Sequence, residues 1–276
     1  MHWYCAPDSW DTKGEAAPRE GKDGSWSANN GTTALTVRPP AQKDYWRITY
    51  YEPTVLKDDA PFAYVELDES DYYTITAGFD LRVAMPNDQA GLMVRLDAQH
   101  WIAAGVIAVV ESGDGDGSEG LLVPRLSVVV TNHYSDLSEH PYPHYSTTAA
   151  AAAAATNSTT AFAATATTAT VSCRVRIHMR AGHYVVQAWL DDDGNGGRWE
   201  TLRVARLNRR MVYYPLAPLP SSSGAAATEA AAGNRPSRGS GPSVFAGVYA
   251  ACPRDQRGAE AVFWDFEVAR GSDVNL

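Results

Sequence analysis

Gln89-Ala90-Gly91-Leu92-Met93-Val94-Arg95-Leu96 alternates strictly: Ala90, Leu92, Val94 and Leu96 fall on one side, Gln89, Gly91, Met93 and Arg95 on the other. Successive side chains of an extended chain point to opposite faces, so this stretch reads as a strand with one apolar face. The same period spreads outward. Between Tyr72 and Val83, the residues Tyr73, Ile75, Ala77, Phe79, Leu81 and Val83 share a side. Tyr45 to Tyr51 alternates as well, followed by Trp101 to Val110, Leu126 to Thr131, Val175 to Met179, Tyr184 to Leu190, Val244 to Ala250 and Val262 to Val268. These stretches are rich in β-branched and aromatic residues and are separated by Gly, Asp and Pro clusters, while no amphipathic helix of three turns is present. Many short strands with turn signals between them predict an all-β, two-sheet antiparallel sandwich of jelly-roll type.

The chain has 276 residues, 45% of them hydrophobic, with 14 Tyr and 8 Trp, enough to fill the core of one sandwich domain spanning 1–276. Two stretches break the pattern. About 140–170 holds the run Ala149 to Ala155 within Thr, Ala and Ser, and about 215–242 is rich in Ser, Gly, Ala and Pro. Both are expected to be disordered inserts between strands, because neither composition can bury a core. The net charge of −9 and pI of about 5.2 disfavour nucleic acid and anionic membrane surfaces as partners. The first residues carry no basic stretch followed by an apolar run, and three cysteines, Cys5, Cys173 and Cys252, are few and odd in number. Both features fit free thiols in a cytoplasmic protein.

Asp44-Tyr45-Trp46-Arg47-Ile48-Thr49-Tyr50, Asp88 to Arg95, Trp101-Ile102-Ala103-Ala104-Gly105, Leu126 to Asn132 with Ser135-Asp136, and Gly247 to Pro253 follow one another in a familiar order. In order and spacing they resemble the uncharacterised domain family that includes the fungal "regulation of enolase" protein, within the concanavalin A-like lectin/glucanase superfamily. The resemblance runs from near Trp3 to Val268, apart from the two inserts, and Asp88 to Arg95 is its most specific part. It implies a two-sheet jelly roll and an intracellular protein, and it carries over no reaction. Family members often have Lys at the position of Ala103, Glu at that of Ile107 and Trp at that of Leu137, so no activity that needs that Lys or Glu carries over.

Among chemical motifs, Glu66-Leu67-Asp68-Glu69-Ser70-Asp71 resembles the spaced carboxylates of laminarinase-type glucanases. Two carboxyls on one strand face are what retaining glycosidases need, but the segment also reads as an acidic turn. Asp191-Asp192-Asp193-Gly194-Asn195-Gly196 opens like a calcium loop, yet its twelfth position is Leu202 instead of a bidentate Glu, and a hairpin turn is expected. His133, His140 and His144 lack helical spacing because Pro141 and Pro143 intervene. No metal and no cofactor is expected.

A surface remains. Opposite the core-facing residues, Gln89, Met93, Arg95, Ser127, Val129, Thr131, Trp101 and Gly105 are expected to face a concavity. Arg47, Thr49 and Tyr51 are expected to join them, with Arg176, His178 and Tyr249 contributing. The groove would be formed by Arg47, Thr49, Tyr51, Gln89, Arg95, Trp101, Ser127, Thr131, Arg176, His178 and Tyr249. Aromatics mixed with planar hydrogen-bonding groups suit a sugar or an extended peptide; Arg95 and Trp101 read equally well as structural residues, paired and packed inside the sandwich. The function expected is a non-catalytic, lectin-like carbohydrate-binding module. The alternatives are a regulator of carbohydrate metabolism that binds a glycolytic-type enzyme and a glycoside hydrolase. A convergent carboxylate pair on the concave face would favour the hydrolase.

Overall fold

In the computed structural model the alternating stretches become strands of two antiparallel sheets packed face to face. The structure describes residues 2–5, 9–13, 19–20, 26–27, 34–49, 52–111, 121–142, 170–180, 182–191, 196–207, 242–254 and 259–271. Most of both inserts and residues 192–195 of the calcium-like loop lie outside the described residues.

One sheet has seven strands in the spatial order β1 (His2–Tyr4), β8 (Phe62–Asp68), β17 (Ser243–Ala251), β10 (Gln89–Asp97), β11 (His100–Glu111), β12 (Leu121–Asn132) and β13 (Tyr134–Pro141). The other runs β16 (Arg198–Arg206), β15 (His183–Leu190), β14 (Thr170–Arg180), β9 (Tyr72–Arg82), β18 (Glu260–Arg270), β4 (Trp26–Ser27) and β3 (Arg19–Glu20). Beside that path, β5 (Ala34–Arg38) pairs with β18 and with β2 (Ser9–Lys13). No helix among the described residues is long and apolar enough to cross a membrane.

The core lies between the sheets, where the alternation predicts it. Ala90, Leu92 and Val94 of β10, Ile102, Ala104 and Val106 of β11, and Leu126 and Val128 of β12 face Ile75, Ala77, Phe79 and Leu81 of β9 and Val175 and Ile177 of β14. All are buried. Strict alternation breaks in β18. Register slips between Trp264 and Glu267, Asp265 takes a positive φ of 50°, and Phe263 and Phe266 both reach the core. An extra residue in a strand shifts the phase of every side chain after it.

A second apolar cluster lies on the far face of the seven-stranded sheet: Phe62, Met93, Trp101, Ala103, Val129, Tyr249 and Ala251, with Tyr45 and Ala60 packed over them. The cover is a flap, residues 39–61, whose strands among the described residues are β6 (Tyr45–Arg47) and β7 (Leu56–Asp58), paired with each other. The sequence predicts a longer strand from Tyr45 to Tyr51. Ile48 instead adopts a φ of 58°, a conformation that crowds a β-branched side chain, and strand pairing ends at Arg47.

Candidate ligand-binding cleft

The β10–β11 hairpin sets the frame. Arg95 pairs with Trp101 across the ladder, so both side chains leave the same face, as the short turn between them predicts. That face is not open here. Arg95 is 5% exposed and Trp101 1%. The Arg95 guanidinium grips Asp58 of the flap with two bonds, Nη1 to Oδ1 at 2.5 Å and Nη2 to Oδ2 at 2.7 Å. The Tyr4 hydroxyl donates to Asp58 Oδ2 at 3.1 Å, and the Tyr4 ring lies 4.5 Å from the guanidinium carbon. Trp101 meets Tyr45 edge-on at 5.9 Å, and Tyr45 meets Tyr249 at 6.1 Å. Arg95, Trp101, Thr131 and Tyr249 therefore lie beneath the flap and do not line an open groove. The reason is that Tyr45, Ala60 and Asp58 supply the apolar cover and the counter-charge this face lacks.

At the other end of the flap a cleft of about 420 Å³ remains. Its walls are Gln42, Asp44, Trp46, Thr49, Val55 and Lys57 of the flap, Asn87, Gln89, Ile107 and Val129 of the sheet, Leu137 and Glu139 of β13, and Pro253 and Arg254 after β17. Of the residues expected in the groove, Thr49 and Gln89 line it. Arg47 sits on the flap, where its backbone N–H donates to Ser135 Oγ at 2.9 Å. Ser127 is buried in the sheet, in register between Gly105 and Glu139. Tyr51 lies outside the described residues. Arg176 and His178 belong elsewhere: β14 is part of the nine-stranded sheet, and the two project on the side opposite the core residues Val175 and Ile177. There Arg176 packs 4.1 Å from the Trp199 ring centre and donates to Gln187, and His178 bonds Thr74 at 2.9 Å. Alternation gives the parity of a side chain but not the sheet its strand joins.

The cleft carries acids that the sequence pattern does not place there. Asp44 and Glu139 both line it, and Glu66 shares the same sheet face near the other end, in register with Phe245 and Arg95. Asp68, by contrast, makes the expected acidic turn, accepting from Ser70 N and Oγ at 2.9 and 2.7 Å. Asp44 is held at one oxygen. The Tyr249 hydroxyl donates to Gln89 Oε1 at 3.2 Å, Gln89 Nε2 donates to Asp44 Oδ1 at 2.8 Å, and the Tyr45 N–H donates to the same oxygen at 2.8 Å. Burial pushes the Asp44 carboxyl up to about 7 and the nearby Asp59 carboxylate adds to the rise, against the lowering effect of the Tyr45 N–H. Trp46 Nε1 is buried and has no hydrogen-bond partner among the described residues.

Two of the three positions at which the chain departs from the family pattern, Ile107 and Leu137, line this cleft, and the third, Ala103, belongs to the cluster beside it. The three cysteines are free; burial pushes the Cys173 and Cys252 thiols up to about 12, which leaves them un-ionised at neutral pH. Among the described residues no group of His, Cys, Asp or Glu is arranged to hold a metal ion.

Comparison with known proteins places the chain. It is 33% identical over 108 residues to "Regulation of enolase protein 1" of Saccharomyces cerevisiae, a match covering 39% of this chain and 47% of the relative. The matched segment thus spans about half the length of that protein. A crystal structure of a functionally unknown protein from Saccharomyces cerevisiae superposes with a TM-score of 0.56 at 19% identity, over 98% of this chain and 96% of that one. That likeness shows a shared fold. A GH43 protein from Bacillus licheniformis aligns at 9% identity with a TM-score of 0.47, over 94% of this chain and 39% of the other. A family model described as "Protein of unknown function (DUF1349)" matches residues 21–167, the stretch that contains the flap, β8 to β13 and most of the cleft, and the chain belongs to that family.

Proposed function

We propose that the chain is a binding module whose ligand, a neutral carbohydrate, occupies the cleft between flap and sheet; the two carboxyls on its walls, Asp44 and Glu139, make a hydrolase the competing reading that the titration below decides. One observation carries the reading: Trp46, whose buried indole N–H has no partner among the described residues, lines a cleft whose other walls offer Thr49, Gln89, Asp44 and Glu139. Sugars present both flat apolar ring faces and hydroxyls, and a site of aromatics with a few placed polar groups complements them. Arg95 and Trp101 support that site from beneath the flap instead of touching the ligand.

Isothermal titration of neutral gluco- and xylo-oligosaccharides tests this. Leu137→Trp, which adds bulk to the cleft wall on the edge strand β13, should weaken binding by about tenfold or more while leaving the melting temperature nearly unchanged. No binding across the panel contradicts the proposal, and release of shortened sugars replaces a binding module with a hydrolase.

A second reading, a regulator acting on a glycolytic-type enzyme, is favoured by the name of the yeast relative alone. Pull-down of purified enolase by the chain, weakened by substitutions at the cleft rim such as Arg254→Glu, would support it.

A further inference from the structure

Asp44 lines the cleft with an asymmetric carboxyl. Oδ1 already accepts two hydrogen bonds, from the Tyr45 N–H and from Gln89 Nε2, while Oδ2 has no partner among the described residues. Gln89 cannot reverse its amide without cost, because its Oε1 accepts from the Tyr249 hydroxyl. A proton on Asp44 therefore sits on Oδ2, and there it makes the side chain a hydrogen-bond donor.

The neighbours favour that proton. Asp59 lies alongside: its Oδ1 accepts from the Asp44 N–H at 3.2 Å, and its Oδ2 is paired with Lys43 at 3.0 Å. No cation makes an ion pair with Asp44 among the described residues. Lys57 of β7 lowers the Asp44 carboxyl, an effect that ranks below burial and the Asp59 carboxylate, and sends its own ammonium to Gln42 O at 3.2 Å. From the sheet side the facing groups are Tyr249 and Gln89, and the cleft walls add Glu139 from β13 and Arg254 after β17. No histidine lines the cleft. A half-buried carboxyl next to a second carboxylate, without a paired cation, holds its proton into the neutral range.

We propose that Asp44 is the specificity-determining residue of the cleft and binds its ligand in the protonated form, donating from Oδ2 to an acceptor oxygen of a neutral sugar. The site is thereby proton-gated: ionised Asp44 offers a bare acceptor where the ligand needs a donor, and affinity falls as pH rises through neutrality. This rests on the cleft being a carbohydrate site.

The test pairs wild type with Asp44→Asn, which keeps an acceptor at Oδ1 and a permanent donor in place of Oδ2. The same neutral oligosaccharides are titrated at pH 6 and pH 8, and the side-chain carboxyl carbons are followed by NMR in the free protein. Wild-type affinity should drop about tenfold between the two pH values, the change in protonated fraction for a group titrating near the middle of that range. Asp44→Asn should bind equally at both, near the wild-type pH 6 affinity, and should lack one carboxyl titration of near-neutral midpoint. Binding that is unchanged with pH in wild type, or equally pH-dependent in Asp44→Asn, overturns the proton gate and leaves the cleft as a carbohydrate site. Absence of binding at both pH values overturns the gate and the carbohydrate reading together.

Discussion

At the residue scale the buried guanidinium of Arg95 is satisfied by two carboxylate oxygens from a separate segment. Removing one partner of such a pair leaves the other charged in a poorly solvated place. Arg95→Met and Asp58→Ala are each expected to destabilise by roughly 3 kcal/mol, less than for a fully buried pair because solvent reaches Asp58. Trp101→Ala is expected to lose about 3–5 kcal/mol through the cavity it leaves. Urea unfolding of the three variants checks this; near-wild-type stability would mean that the flap does not seal the face. Asp44 behaves oppositely. Its carboxyl is raised in the folded state, so the fold binds a proton that the unfolded chain releases above the usual carboxylate range. Stability from this group is therefore greatest below that range and declines as pH rises to about 7. Asp44→Asn should stabilise the protein at pH 8 relative to wild type, by up to about 4 kcal/mol before solvent screening is discounted, and much less at pH 4. Melting curves at the two pH values read the sign directly.

At the element scale, the β10–β11 hairpin is legible from sequence to the register: Gln89 to Leu96 alternates, the turn follows, and Arg95 opposes Trp101. Gly91 and Gly105, opposite each other in this hairpin, allow the two strands to approach: a Cβ on Gly105 would lie 2.0 Å from Ala90 O. Gly105→Ala should therefore destabilise by about 3 kcal/mol, as overpacking does, and loosen amide protection in β10 and β11 first. The flap is the element that sequence does not reveal. Tyr45 to Tyr51 alternates like a sheet strand, and nothing in its pattern says that its pairing stops at Arg47. Lys57-Asp58-Asp59 reads as a polar turn, because a carboxylate that neutralises a distant buried Arg looks in sequence like any surface acid. Hence the partner that buries Arg95 and the acids of the cleft are not legible in the sequence, though Asp44 heads the run that carries the family resemblance. The described strands β13 and β14 end and begin at Pro141 and Thr170 with their pairing complete. Deleting 147–168 should leave a cooperative unfolding transition with little change in melting temperature; loss of cooperativity would show that the segment packs on the core.

At the scale of the whole molecule, the sandwich uses its two sheet faces differently. The inner faces build the core, and the flap covers the apolar centre of the far face of the seven-stranded sheet, with the cleft at one end of the flap. Period two predicts both faces of each strand, which is why the sandwich and the polar-aromatic character of one face follow from sequence. Which strands share a sheet depends on long-range pairing, which is why alternation alone does not separate Arg176 and His178, on the nine-stranded sheet, from the residues of the seven-stranded one. The central claim is that the uncovered end of this face is where a ligand binds. Titrating neutral oligosaccharides into isotopically labelled protein and following the tryptophan indole N–H signals tests it most directly, because Trp46 lines the cleft while Trp189, whose Nε1 donates to Asp191 at 2.7 Å, lies on the other sheet. The account predicts that the Trp46 indole signal and the Gln89 side-chain amide shift together on binding while the Trp189 and Trp199 signals stay in place. Shifts confined to Trp189 and Trp199, or none anywhere, would contradict it.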